Sequence, residues 1–205
     1  MVDLQSWVLR RCFRLRSSLD DPGGWSKSKR TRMLTFVAVD LHNTCSTFLR
    51  SYYLSSATGA YLKNGEAVSA GQPFANQEDA LTFAIHLAGR GRGSGPWQRR
   101  QEPPWHDTTA FLRVLNAAGC SNATGVNAAW SIQTDALAHL TRARHYLAHR
   151  NAETAIRLRR LSQAYGLPAP REPDALLLMR GRGRPQAILE DWLDDLEAVF
   201  SLMPA

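Results

Sequence analysis

The sequence predicts an all-α fold, an antiparallel bundle of about six to seven helices joined by irregular loops. Two observations predict it. Apolar residues recur at intervals of three and four along most of the chain, as they do on one face of a helix. Glycine, proline and typical N-cap residues interrupt these stretches where helices would begin and end. Strand-like alternation is rare, and we expect one small hairpin at most, turning at Asn64-Gly65.

The residues that begin and end helices place these elements along the chain. In chain order, helices are expected at about residues 3–19, 29–56, 80–87, 108–118, 128–149 and 152–165, with a last helix after Pro185. Asn76 and Asp107 have side chains that cap a helix N-terminus. Residues 152–165 either continue the helix before them or form a separate helix capped by Asn151. The loop 89–104, rich in Gly, Pro and Arg, is a candidate mobile segment.

Length and composition indicate one globular domain. The chain has 205 residues, of which 44% are hydrophobic, enough to build a core and too many for a disordered chain. We expect an N-terminal helix and loop at residues 1–26 and a helical bundle at 27–205, within one domain overall. The sequence contains no apolar run of membrane-spanning length and does not begin like a signal peptide. It therefore predicts a cytoplasmic protein with no membrane partner.

The charge balance favours an anionic partner. The formal net charge is +7, and only three of the 25 Lys and Arg residues are lysines. Guanidinium groups suit bidentate contacts to phosphate, although a genome that favours arginine codons would produce the same bias. The sequence has no P-loop, zinc cluster or nucleophile elbow, and its cysteines lack metal-like spacing. We therefore expect neither a metal site nor a cofactor.

One stretch, TRARHYLAHRN at residues 141–151, carries side chains suited to chemistry. On a helix, Arg142, His145 and His149 fall within a sector of about 60° and form one polar stripe. The leucines of this helix share a different face, at positions 137, 140 and 147. Arg144 falls on that apolar side, where an arginine is rarely buried without a partner. We expect it to reach across a dimer seam or to hold a carboxylate.

The segment Arg142–Asn151 resembles the R-x(4–6)-H motif of HEPN domains. Arg144 and His149 have this spacing with the polar His145 directly after the arginine, and Arg142 satisfies the longer spacing, so either arginine can be the motif residue. In this family the motif lies on a late helix of an antiparallel bundle, and two protomers pair so that both motifs line one cleft. Many members are metal-independent endoribonucleases, often toxins or antiviral effectors. The resemblance covers the motif itself, with the helical layout of residues 29–165 as looser support.

The resemblance implies a homodimer that cleaves RNA, and a cognate antitoxin or defence partner. We predict that His149 is the general acid or base and that Arg144 neutralises charge on the phosphate. Arg142 and His145 would support them in the same site. The residues predicted to bind substrate are Arg50 on the long helix, Arg150 and Asn151.

Two other interpretations stay open on the sequence alone. The histidines can be solvated residues near a helix C-terminus, where the helix dipole favours cations. The two arginines of the motif can likewise form surface pairs with Asp135 or Glu153. Alternatively, a HEPN-like helical domain can bind nucleotide, RNA or a protein partner without cutting, as an adaptor or regulatory subunit.

Overall fold

The computed structural model describes residues 3–20, 22–89, 98–132 and 134–204, and it confirms the all-α fold. The helices in these ranges are α1 (Leu4–Ser17), α2 (Lys27–Ala57), α3 (Gln77–Leu87), α4 (Thr108–Ala117), α5 (Ala123–Trp130), α6 (Ala136–His149), α7 (Ala152–Ala164) and α8 (Ile188–Leu202). Short 3₁₀ segments occur at Pro22–Gly24, Arg99–Gln101 and Pro173–Leu178. None of the helices described is both long enough and apolar enough to cross a membrane.

Several helix ends coincide with the predicted caps. The side chains of Asn76 and Asp107 each accept two backbone N–H groups from the first turn of α3 and α4. Oδ1 of Asn151 accepts the backbone N–H of Thr154 at 2.9 Å. Because that cap begins a new helix, α7 is separate from α6 rather than its continuation.

The prediction of one helix over residues 128–149 is wrong, because α5 and α6 share this segment. At the end of α5, the hydroxyl of Ser131 donates to a carbonyl of that helix at 2.7 Å. At the start of α6, Oγ1 of Thr134 accepts the N–H of Ala136 at 3.1 Å and donates to Asp195 at 2.8 Å. Side-chain hydrogen bonds of this kind compete with the helical pattern and interrupt it.

The loops agree with the sequence in part. The chain turns at Asn64-Gly65 as predicted, with Gly65 at φ +84°. The flanking pairing is a single bridge between Tyr61 and Ala67 rather than a hairpin of two strands. Half of the predicted mobile loop 89–104, residues 90–97, lies outside the described residues.

The chain divides into two compact units. Unit 1 comprises Met1–Val8, Cys45–Gln133 and Val199–Ala205, and unit 2 comprises Leu9–Thr44 and Thr134–Ala198. The helices α1, α2 and α8 each contribute residues to both units. The predicted division into residues 1–26 and 27–205 stays a prediction.

Unit 1 has an aromatic core. The rings of Phe48 and Phe200 lie 4.8 Å apart between centroids, and those of Tyr53 and Trp105 stack at 5.4 Å. Tyr53 is fully buried, and its hydroxyl donates to a backbone carbonyl of α3 at 2.7 Å. Because a buried tyrosine needs a partner for its hydroxyl, this bond attaches α3 to α2.

Unit 2 has an aliphatic core around one tryptophan. Its largest fully buried side chains are Leu15, Leu34, Leu41, Leu140, Leu158 and Trp192. The helices α6 and α7 pack against each other, and α7 also packs against the 3₁₀ segment Pro173–Leu178. Ion pairs join segments distant in sequence: Arg11 of α1 binds Asp40 of α2 at 2.8 Å, and Arg30 of α2 binds Glu172, just before the 3₁₀ segment, at 2.7 Å. The core thus holds α6, the helix with the predicted motif, in a defined orientation.

The cap of α4 provides a direct test of this description. Replacing Asp107 by Ala removes the acceptor for two N–H groups and should lower the free energy of unfolding by about 1 kcal/mol. Asp107→Asn keeps a capping oxygen and should cost much less. Urea denaturation of the wild type and the two variants measures both changes in the free energy of unfolding. An equal decrease in the two variants would contradict the cap.

Candidate functional site

The leucines of α6 determine which of its side chains face outward. Leu137, Leu140 and Leu147 are buried together with two alanines of the same helix. Arg142, His145 and His149 are exposed. The polar stripe expected from helical geometry is therefore present on the surface of unit 2.

Two imidazole rings lie side by side on this stripe. The centroids of His145 and His149 are 6.4 Å apart. Partial burial lowers the pKa of His145, and the positive charges of Arg144, His149 and Arg157 lower it further. His145 is therefore held in its neutral form at neutral pH, ready to accept a proton.

Arg144 lies at the edge of the apolar face, as predicted. Its side chain is half-buried, and its Nε atom is buried with no hydrogen-bond partner among the described residues. Among the described residues, neither motif arginine forms an ion pair with Asp135 or Glu153. Glu153 instead pairs with Arg157, one turn further along α7. A guanidinium with an unused donor can still bind an acceptor from outside the chain.

Arg150 and Asn151 form the turn between α6 and α7. Arg150 has left-handed backbone angles, φ 43° and ψ 42°, and its N–H donates to the carbonyl of Tyr146 at 2.7 Å. Its Nη2 donates to Oγ1 of Thr35 on α2 at 3.2 Å. The Asn151 side chain is occupied as the cap of α7. Both predicted substrate-binding residues are exposed beside the motif, but their observed contacts hold the turn.

Sequence reasoning missed Arg157. A turn of only two residues folds α7 back along α6, so residues at similar distances from the turn come together. His145 and Arg157 satisfy that relation, and the charge of Arg157 acts on the His145 imidazole. Once Asn151 is recognised as a cap, this neighbour can be found from the sequence alone.

Arg50 belongs to unit 1, whereas the helix that carries the motif, α6, belongs to unit 2. Its Nε and Nη2 donate to the two carboxylate oxygens of Glu102 at 2.6 and 3.2 Å. Glu102 is only 5% exposed and also accepts Trp105 Nε1 at 2.8 Å. Arg50 therefore compensates a buried carboxylate, at the edge of a polar cavity of about 270 Å³.

A second histidine environment on α6 also escaped prediction. Nδ1 of His139 lies 2.7 Å from the hydroxyl of Tyr165, which accepts Trp192 Nε1 at 2.6 Å. Since an indole N–H only donates, the tyrosine proton is free to point at His139. Burial lowers the pKa of His139, Arg142 lowers it further, and Asp135 opposes both.

Within the described ranges, no group of three or more His, Cys, Asp or Glu side chains could hold a metal ion. Comparison of the chain with models of protein families, with curated proteins and with solved structures found no match to any of them.

The half-buried His139 should make unit 2 sensitive to acid. Its pKa is lowered from 6.5 in the folded chain, so below that pH the unfolded chain binds the proton more readily. The free energy of unfolding should therefore fall as the pH decreases from about 7 toward 5. Urea denaturation across this range should show a smaller decrease for His139→Gln. His86→Gln, at an exposed position, is the control and should show the wild-type decrease. If the free energy of unfolding of His139→Gln fell with pH as much as that of wild type, His139 would not be the source of the acid sensitivity.

Proposed function

We propose that this chain is a HEPN-like, metal-independent endoribonuclease that acts as a toxin or phage-defence effector. The observation that carries the proposal is the exposed pair of imidazoles, His145 and His149, whose ring centroids lie 6.4 Å apart among arginines. An acid and a base near one phosphate are the minimum that RNA transesterification requires.

Two imidazoles side by side can divide the proton transfers between them, one acting as the base and the other as the acid. The lowered pKa of His145 favours the neutral form, which can take a proton from an RNA 2′-hydroxyl. In this proposal His149 would give a proton to the departing 5′-oxygen. The 2′-oxygen forms a bond to phosphorus as the bond to the 5′-oxygen breaks. The products are a 2′,3′-cyclic phosphate and a 5′-hydroxyl, and no water is consumed.

The arginines would act on the phosphate rather than on the protons. Negative charge builds on the non-bridging oxygens in the transition state, and a guanidinium nearby stabilises it. Arg142 is exposed on the same stripe as the histidines, and the Nε of Arg144 is unpartnered within the described chain. Arg157 adds a third positive charge from α7 and keeps its ion pair with Glu153.

We further propose that two copies of the chain complete the site. One helix supplies few groups, and Arg144 combines a half-buried position with an unused donor. A buried polar atom of this kind is costly unless another molecule satisfies it. A second α6 lying against the first would bring an acceptor to Arg144 and double the number of imidazoles.

The decisive experiment compares His149→Ala with the wild-type chain on a labelled RNA. Because general acid–base catalysis contributes about 10²–10⁴-fold, cleavage should fall by at least about 100-fold. His86→Ala, a substitution of an exposed histidine on α3, is the matched control and should cleave like wild type. Mass spectrometry of the fragments should identify 2′,3′-cyclic phosphate ends.

Equal cleavage by the His149→Ala protein would refute the nuclease, because it would identify the activity as a contaminant. RNA binding without cleavage by the wild type would instead favour the non-catalytic adaptor. The toxin role is tested separately in cells. Expression of wild type should stop growth and that of His149→Ala should not.

The shared site predicts a dimer. Light scattering after size-exclusion chromatography should give twice the mass of the chain, and Arg144→Glu should shift it toward the monomer. Arg160→Glu on α7 changes the charge equally at an exposed position and should remain dimeric. A wild-type monomer that cleaves RNA would refute the shared site without refuting the nuclease.

A further inference from the structure

Unit 1 contains a partly enclosed cavity of about 250 Å³ that the proposed nuclease does not use. One wall is a face of α2, where Phe48, Tyr52, Ser55 and Ser56 follow at helical spacing. The remaining walls come from α1, the turn at residues 60–63, Val68, Asn122 and the end of α8 with the residues after it. All of these belong to unit 1, and most of the surface they present is apolar.

Hydrogen bonds hold the C-terminal wall in place. Nε2 of Gln5 donates to the carbonyls of Phe200 and Met203 at 2.9 and 3.2 Å. The hydroxyl of Tyr52 donates to the carbonyl of Pro204 at 2.6 Å. Pro204 also packs against Gly125, where an added Cβ would come within 2.6 Å of its ring. The cavity is therefore built into the fold and not a gap left by a loose chain end.

One buried amide gives the cavity its polar character. Asn122 is 7% exposed, and its Nδ2 donates to Tyr52 Oη at 3.1 Å and Ser56 Oγ at 2.9 Å. The tyrosine proton goes to Pro204, so Tyr52 can only accept from the amide, which fixes the orientation of that group. Oδ1 of Asn122 is left buried with no hydrogen-bond partner among the described residues.

Among the described residues that line the cavity, the two charged side chains, Asp3 and Lys63, are paired with each other. Nζ of Lys63 lies 3.2 Å from the carboxylate of Asp3 and donates to Oε1 of Gln5 at 2.8 Å. A lysine already paired in this way offers little to a ligand carboxylate or phosphate. The chemistry of the cavity therefore favours a neutral occupant.

We propose that this cavity binds a small, neutral, planar aromatic molecule of one or two rings that donates a hydrogen bond to Oδ1 of Asn122. The volume lies just below the roughly 300–1,000 Å³ of drug-sized sites, which limits the occupant to a small molecule. The rings of Phe48, Tyr52 and Phe200 provide offset and edge contacts for an aromatic plane. The N–H or O–H group of the ligand would satisfy Oδ1 of Asn122, which has no hydrogen-bond partner among the described residues.

A pair of isosteric probes tests the proposal on the unmodified protein. Indole carries an N–H donor, whereas benzofuran has the same shape with an oxygen that only accepts. Calorimetric titration should show one indole site per chain and about tenfold weaker binding of benzofuran, because the acceptor then stays unpaired. Equal affinities would overturn the role of Asn122, and no saturable binding of either probe would overturn the site. Since no RNA is present, the result is independent of the nuclease.

Cavity-filling variants locate the binding. Ser55→Trp and Ala60→Trp place an indole inside the cavity from two different walls and should each abolish indole binding. Ser28→Trp puts the same side chain on an exposed position of α2 and should bind as wild type does. Circular dichroism identifies variants that fold. Undiminished binding in a folded cavity variant would place the probe elsewhere and refute the proposal.

Discussion

Burial of the leucine stripe fixes the rotation of α6 about its axis, and the chemistry of unit 2 depends on that rotation. Leu137, Leu140 and Leu147 are each at most 4% exposed, and burial of such a side chain is worth about 1.5–3 kcal/mol. A rotation that turned the histidines inward would lose several kcal/mol and would also desolvate two imidazoles. The burial of the leucines therefore places His145 and His149 on the exposed side of α6.

The turn after α6 then selects the neighbours of this exposed stripe. A left-handed arginine is unfavourable by about 1–2 kcal/mol relative to ordinary helical angles. The bond from Arg150 to Thr35 and the cap that Asn151 makes on α7 offset this cost. Because the turn is so short, α7 returns beside α6 and brings Arg157 to His145. The electrostatic environment of His145 thus depends on the left-handed backbone conformation of Arg150, which makes the short turn possible.

The sequence predicts what local periodicity and caps determine, and it fails where tertiary hydrogen bonds compete. The polar stripe of α6 and the cap at Asn151 were predictable, since both depend on residues within one or two helical turns. The break before α6 was not, because Thr134 bonds to Asp195, a residue 61 positions away. The ion pair of Arg50 was not predictable for the same reason, because the helical pattern of α2 does not reveal Glu102, and the substrate-binding role of Arg50 stays a prediction.

Buried polar atoms without partners differ in what can relieve them. In α8, Oδ2 of Asp191 has no hydrogen-bond partner within the ranges that the structure describes. Burial raises the pKa of this carboxyl, so uptake of a proton removes the buried charge. Neither the amide of Asn122 nor the guanidinium of Arg144 can respond in that way, because neither changes its protonation in water. No described residue satisfies their unused acceptor and donor, so a group from outside the described chain is needed to relieve them. Each unit therefore has one such unsatisfied hydrogen-bonding atom beside its candidate site. In unit 1 it is an acceptor at the apolar cavity, and in unit 2 it is a donor beside the histidines.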